Sequence, residues 1–320
     1  MNDGLRVGAL GIGAVVLIGS AAVYALSERE LTRRYSVPVQ AKSFGIEVDA
    51  ELVDWGRHLV TVVAQCGYCH GPDLAGREMA DDPWIGRLYA SNLTRGEGGV
   101  GAWLSDSQWD AAVRHGVDPE GRSLLLMPSA QLAHLSDRDL AAIVAYVRQT
   151  PAVDRVMPGK RAGWLTRWVV ALGLASDLIS AQQVLESPST GPPIATAKAA
   201  PEYGEYLVAL GGCRVCHRAD LAGGLHPLSL PGEPVPPDLT RGGPSASWTR
   251  REFARAMREG RTPDGRVLDR EFMPWPAFAG LREVEVEAIW LYLGTLDDEG
   301  VERAREGTEL AGREVDRPKS

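Results

Sequence analysis

The 320-residue chain has only four cysteines, all in two short runs, so no thiol remains for a disulfide framework. It also lacks net positive charge: 34 Lys and Arg stand against 42 Asp and Glu, for −8 at pH 7 and a pI near 5.4. That balance argues against a nucleic-acid partner. It suits docking on a basic protein surface, or simple solubility. No sensor output module is recognisable, which leaves little room for a signalling role. What remains is ordinary globular composition, 44% hydrophobic and 24% charged, at a length that suggests about two domains.

The cysteines lie in Cys66-Gly67-Tyr68-Cys69-His70 and Cys213-Arg214-Val215-Cys216-His217. Cys-x-x-Cys-His is the attachment signal for a c-type haem. Two thiols three positions apart each form a thioether to one porphyrin vinyl group, and the next residue supplies the proximal imidazole. A zinc ribbon also uses Cys-x-x-Cys pairs, but with the pairs about 15–20 residues apart. Here the first cysteines are 147 positions apart. A thioredoxin-like pair needs neither the histidine nor the repetition. The reading is therefore two covalently attached haems c.

Val7 to Leu26 is a run of 20 uncharged residues. At about 1.5 Å per residue this run is long enough to span a bilayer core, which sets the expectation of a transmembrane anchor over 1–27. A cleaved export signal is the alternative, and its apolar part is usually shorter, about 7–15 residues. Arg6 before the run and Arg29, Arg33 and Arg34 after it oppose the positive-inside tendency. The haem chemistry nevertheless requires the export side, so the expected location is the bacterial inner membrane with the haem domains in the periplasm.

Residues 28–48 read as a polar connector. Leu52, Trp55, Leu59 and Val62 recur at helical spacing over Asp49–Val63, leading to Cys66. Gly56 within that helix suggests close approach by another helix. A Gly-, Asp- and Pro-rich loop follows, up to about Gly101. Ser105-Asp106-Ser107-Gln108 is a capping box opening a helix that Gly116 closes, and Ser136 to Asp139 caps a last helix running to Gln149.

The second half repeats this plan. Asp220-Leu221-Ala222-Gly223 matches Asp73-Leu74-Ala75-Gly76, and Asp238-Leu239-Thr240-Arg241 matches Asn92-Leu93-Thr94-Arg95. Thr249 to Glu252 is a second capping box, and Met273-Pro274 matches Met127-Pro128. The organisation is one duplicated haem-binding unit, 49–155 and 201–296, mostly α-helical with long loops. Between the units, 156–200 is a linker containing an amphipathic helix on which Trp164, Trp168 and Leu172 share a face. That face packs on a haem domain or in the cleft between the domains, or rests on a membrane surface or a partner subunit. The linker loosens from Ser187, and 297–320 reads as a charged, solvated tail.

Met127 follows His70 by 57 residues and Met273 follows His217 by 56, each just before proline and ahead of its unit's last helix. A thioether as sixth ligand stabilises ferrous iron and closes the site to substrates. Met79, His115, His226 and Met257 are competing donors, but none recurs at the equivalent place in the other unit. Trp103 and Trp248 are candidates for a haem edge or for core packing. Arg95 and Arg241 are candidates for propionate partners or for ordinary surface.

Together with Trp103, Arg114-His115-Gly116, Gly121-Arg122 and the closing helix at Tyr146, these motifs resemble the class I cytochromes c that serve as electron-accepting subunits of membrane-bound bacterial dehydrogenases. The resemblance implies two tandem cytochrome c folds, proximal His70 and His217, distal Met127 and Met273, and thioethers at Cys66, Cys69, Cys213 and Cys216. It implies an electron relay, not an enzyme, between a membrane dehydrogenase or quinol-oxidising complex and an oxidase or soluble cytochrome. A dihaem peroxidase is the alternative. It needs one open iron, against which the paired Met-Pro runs argue. The sequence departs from the family at Arg218, where glycine is common, and in both Leu-Thr-Arg runs, where proline is common.

Overall fold

The computed structural model describes residues 3–37, 44–174, 178–186, 197–225, 229 and 232–296. Pro38 of the connector, His226, the strap from Ser187 to residue 196 and the 297–320 tail lie outside the described residues. The chain gathers into two compact units. One comprises 1–47, 66–133 and 144–190; the other comprises 48–65, 134–143 and 191–320.

The first unit holds α1 (Asp3–Leu31), α3 (Cys66–His70), β1 (Arg77–Asp82), β2 (Gly86–Ala90), α4 (Asp106–His115), α5 (Ser129–Leu132), the later part of α6 (Asp137–Gln149), β3 (Arg161–Ala162), α7 (Trp164–Ala171) and α8 (Ser180–Glu186). Its strands form one antiparallel sheet in the order β1-β2-β3. The hairpin lies in the stretch expected to be loop. Its turn is fixed by Asp82, whose carboxylate accepts the N–H groups of Trp84 at 2.7 Å and Ile85 at 3.0 Å. The chain is thus mostly helical with a small sheet.

The transmembrane expectation is corrected. Among the described residues no helix is long and apolar enough to cross a membrane. The end of α1 is instead built to pack on α7. Val23 and Ser27 are buried, and Arg167 lies 4.2 Å over the Tyr24 ring while donating to Ser27 Oγ and Glu28 Oε2, each at 3.0 Å.

The second unit holds α2 (Ala50–His58), a π-helical turn over Leu59–Val63, the start of α6, α9 (Pro201–Leu210), α10 (Cys213–His217), a 3-10 turn over Pro244–Ser247, α11 (Arg250–Glu259), α12 (Trp275–Phe278) and α13 (Glu283–Leu293). Its core is Leu52, Leu59, Leu140, Leu207, Val286 and Ile289 with their neighbours. The close approach anticipated at Gly56 is seen at its repeat partner. A Cβ on Gly204 of α9 would stand 2.0 Å from the Ala288 carbonyl of α13, so no other residue fits there without moving the helices.

Both capping boxes are present, at Ser105/Gln108 and Thr249/Glu252. Each helix ends on a left-handed glycine, Gly116 at φ 66° and Gly260 at φ 63°. After each, a tight turn closes by the same backbone pairing, Val117 with Ser123 and Arg261 with Val267.

Candidate haem-binding site

Each Cys-x-x-Cys-His run forms one short helix, α3 or α10, whose positions i, i+3 and i+4 carry the two thiols and the imidazole on one face. Among the described residues no three His, Cys, Asp or Glu side chains converge on a point. A structural zinc site needs such convergence. A porphyrin does not, since its vinyl groups lie at the ring edge and its iron at the centre. The four thiols are free. Burial pushes Cys66 up to about 12 and Cys213 up to about 11, so both stand as neutral thiols.

The histidines are held identically. His70 Nδ1 donates to the Ser91 carbonyl at 2.8 Å, and His217 Nδ1 donates to the Pro237 carbonyl at 2.8 Å. A carbonyl only accepts, so the proton must sit on Nδ1, and Nε2 keeps a lone pair for a metal. Burial holds both imidazoles below their ordinary range; the carbonyl bond opposes this, and at His70 the Lys160 charge adds to it. Burial and tautomer together favour the neutral, ligating form.

The loop behind each histidine is the same construction. Gly76 N–H bonds the His70 carbonyl at 2.9 Å and Gly223 N–H bonds the His217 carbonyl at 3.0 Å. Leu93 N–H reaches the Leu74 carbonyl at 2.8 Å, and Leu239 N–H the Leu221 carbonyl at 2.9 Å. Asn92 and Asp238 accept the N–H of the threonine two residues on, at 2.9 and 2.7 Å. The Asn-Leu-Thr and Asp-Leu-Thr runs are therefore scaffolding for the carbonyls at Ser91 and Pro237. Those two carbonyls were not foreseen from the sequence, because a backbone acceptor leaves no residue signature.

The departure at Arg218 has a structural consequence. Gly71 takes φ 81°, and Arg218 at the same place takes φ 68° with ψ 165°. That region is open essentially to glycine alone and costs a side-chain residue about 1–3 kcal/mol. Arg218→Gly is expected to stabilise the protein by about 1 kcal/mol once the greater freedom of unfolded glycine is subtracted. Urea denaturation followed by circular dichroism checks this; a loss of stability would contradict it.

Met127-Pro128 and Met273-Pro274 occupy equivalent loops. The prolines have φ, ψ of −78°, 54° and −76°, 48°, and each starts a four-residue helix, α5 or α12. Both methionines are half-buried. Apolar side chains beside them remain exposed, Leu126 in one loop and Val267 and Phe272 in the other. Such residues suit a flat apolar group better than water. The donor set and the apolar loops thus fit a haem in each repeat. Of the competing donors, Met79 lies on β1, His115 ends α4 and Met257 is buried in α11.

The other recurring residues sort differently. Trp103 is exposed and donates its indole N–H to the Gly99 carbonyl at 3.1 Å. Arg95 is exposed, and Arg241 Nε donates to the Gly294 carbonyl at 2.6 Å beyond α13. A buried polar cluster in the second unit was missed. His58 Nε2 lies 2.8 and 2.9 Å from the two oxygens of Glu285, which is fully buried. Asp139 accepts from Trp55 Nε1 at 2.6 Å and from the Tyr206 hydroxyl.

Comparison with known proteins agrees with the motifs. Residues 54–147 match the family described as cytochrome c oxidase, cbb3-type, subunit III. Over 90% of its length the chain is 34% identical to one subunit of the nicotinate dehydrogenase of Pseudomonas putida, covering 25% of that protein. It is 29% identical over 53% of its length to the cytochrome c subunit of a quinone alcohol dehydrogenase from Gluconacetobacter polyoxogenes, covering 36% of that protein. A dihaem-type cytochrome c of Cereibacter sphaeroides is 26% identical over 62% of the chain and 70% of its own length. The chain spans well under half of the first relatives it matches. The likeness to cytochrome c subunits of bacterial dehydrogenases, read from the motifs, is borne out, and it makes haem c the cofactor type.

Proposed function

We propose, on the premise that this chain is a relative of dehydrogenase cytochrome c subunits, that it holds two haems c and relays single electrons from a dehydrogenase or quinol-oxidising complex to an oxidase or soluble cytochrome. It works on the periplasmic side of the bacterial inner membrane, where covalent haem attachment takes place. The observation that carries the reading is the duplicated histidine lock: the same Nδ1-to-carbonyl bond of 2.8 Å in both repeats.

When bound, a haem supplies a one-electron ferric/ferrous couple. Cys66 and Cys69 would hold one haem, and Cys213 and Cys216 the other, through thioether bonds. His70 and His217 present Nε2 as proximal donors, and the Ser91 and Pro237 carbonyls hold the ring angle and raise its basicity. Met127 and Met273 would each offer a soft sulfur as the second donor, which would favour the reduced state and leave no position for a substrate. So held, the two groups would pass single electrons, and the chain would transform no metabolite of its own. The peroxidase alternative requires an open iron in one repeat, and the matched Met-Pro geometry favours no such difference.

Intact-mass measurement of chain matured in the periplasm tests the site assignment. Cys213→Ala with Cys216→Ala is expected to leave one covalent haem where the parent has two. Two haems on that variant would overturn the second site.

A further inference from the structure

We propose that the outer face of α7, together with the β1–β2 turn, rests on the headgroup layer of an anionic lipid surface without crossing it. The sequence led to two readings of this helix, and the structure separates them. The residues of α7 buried against the protein are Thr166 and Val170; Trp164, Leu165, Trp168 and Leu172 point outward, with Leu165 53% and Leu172 60% exposed. The face expected to pack on a haem domain is thus the open one.

The patch extends beyond the helix. Leu165 N–H bonds the Trp84 carbonyl at 2.8 Å, and Thr166 Oγ1 donates to the Ile85 carbonyl at 2.7 Å. These bonds fix the hairpin tip beside the start of α7, with Trp84 63% and Ile85 42% exposed. Three of the chain's nine tryptophans therefore stand in one exposed patch. Among the described residues, none of their indole N–H groups meets a protein acceptor, whereas Trp55, Trp103 and Trp275 each use theirs. An apolar ring body with an unspent N–H suits the boundary between acyl chains and headgroups.

Charge selects the kind of surface. From Arg155 to Ser176 the sequence has four cations and no carboxylate. Arg161 is exposed at the head of α7. Arg155 pairs with Asp73 at 3.1 Å and Arg167 with Glu28 at 3.0 Å, which leaves Lys160 and Arg161 as the exposed cations; in the hairpin Asp81 pairs with Arg87 at 3.2 Å, and Asp82 keeps its charge while accepting the turn N–H groups. A short helix with an aromatic face and basic flank lies in an anionic interface.

The test uses full-length, haem-loaded protein carrying a spin label at Leu165→Cys, with Glu97→Cys as a distant control. Haem absorbance per chain is recorded separately, so a failure of the haem reading is visible on its own. On phosphatidylcholine–phosphatidylglycerol vesicles, collisions with oxygen relative to a water-soluble nickel chelate are expected to rise severalfold at 165 and not at 97. Arg161→Glu is expected to weaken sedimentation with these vesicles about thirtyfold, from roughly 1 kcal/mol per unit of surface charge over a two-unit change, and to leave retention on pure phosphatidylcholine unchanged. A label at 165 that stays in water overturns the proposal, as does one shielded from both reagents, the mark of a protein partner or second copy. Equal sedimentation of Arg161→Glu overturns the anionic assignment. Retention through any other segment does not pass, because the label reports residue 165 itself.

Discussion

Met273→Ala is expected to lower one midpoint potential by on the order of 100 mV or more while leaving the other and the haem content unchanged. The loop survives the substitution because its backbone holds it. Met273 N–H bonds the Asp269 carbonyl at 2.8 Å, Trp275 N–H bonds the Met273 carbonyl at 2.7 Å, and the Trp275 indole donates to the Leu268 carbonyl at 3.2 Å. None of these bonds involves the methionine sulfur. What is lost is a soft donor that favours ferrous iron. The iron it leaves should then bind carbon monoxide when reduced. A redox titration superimposable on that of the parent would remove Met273 from the ligand set.

Glu285→Ala is expected to cost about 3–5 kcal/mol of stability. Glu285 is fully buried, and its oxygens serve both His58 Nε2 and the Arg282 N–H, the latter at 2.7 Å at the start of α13. Alanine leaves the His58 ring, itself only 11% exposed, without its acceptor and strips the cap from the helix. Replacing both partners by leucine is expected to cost much less, since no polar atom is then stranded. Urea denaturation followed by circular dichroism measures both. A loss below about 1 kcal/mol for Glu285→Ala would show the pair to be dispensable.

The parts of this structure that were legible in the sequence are those where a local rule acts alone. Ser105/Gln108 and Thr249/Glu252 cap their helices because a hydroxyl and a carboxylate or amide three residues apart satisfy two orphan N–H groups. The duplication was legible because a haem needs the same residues in each copy. The β1–β2 hairpin was not, since Arg77-Glu78-Met79-Ala80-Asp81-Asp82 has neither β-branched residues nor clean alternation. Its pairing is set by tertiary contact with β3 and α7. The His58–Glu285 pair joins residues 227 positions apart, so no local pattern announces it. Helical period signals only the burial of one partner: Glu285 shares a face with Ala288, Ile289 and Tyr292, all buried. The apolar run near the start of the chain misled for the same reason. Hydropathy read along the line does not see Arg167 and the rest of α7 waiting for Tyr24 and Ser27.

The claim beneath all of this is that each histidine lock sits under an iron porphyrin. A pyridine haemochrome assay on protein matured in the periplasm, set against chain concentration from amino-acid analysis, measures it directly. Two haems c per chain are the expected result; protein that folds and matures there with no bound porphyrin would contradict the account.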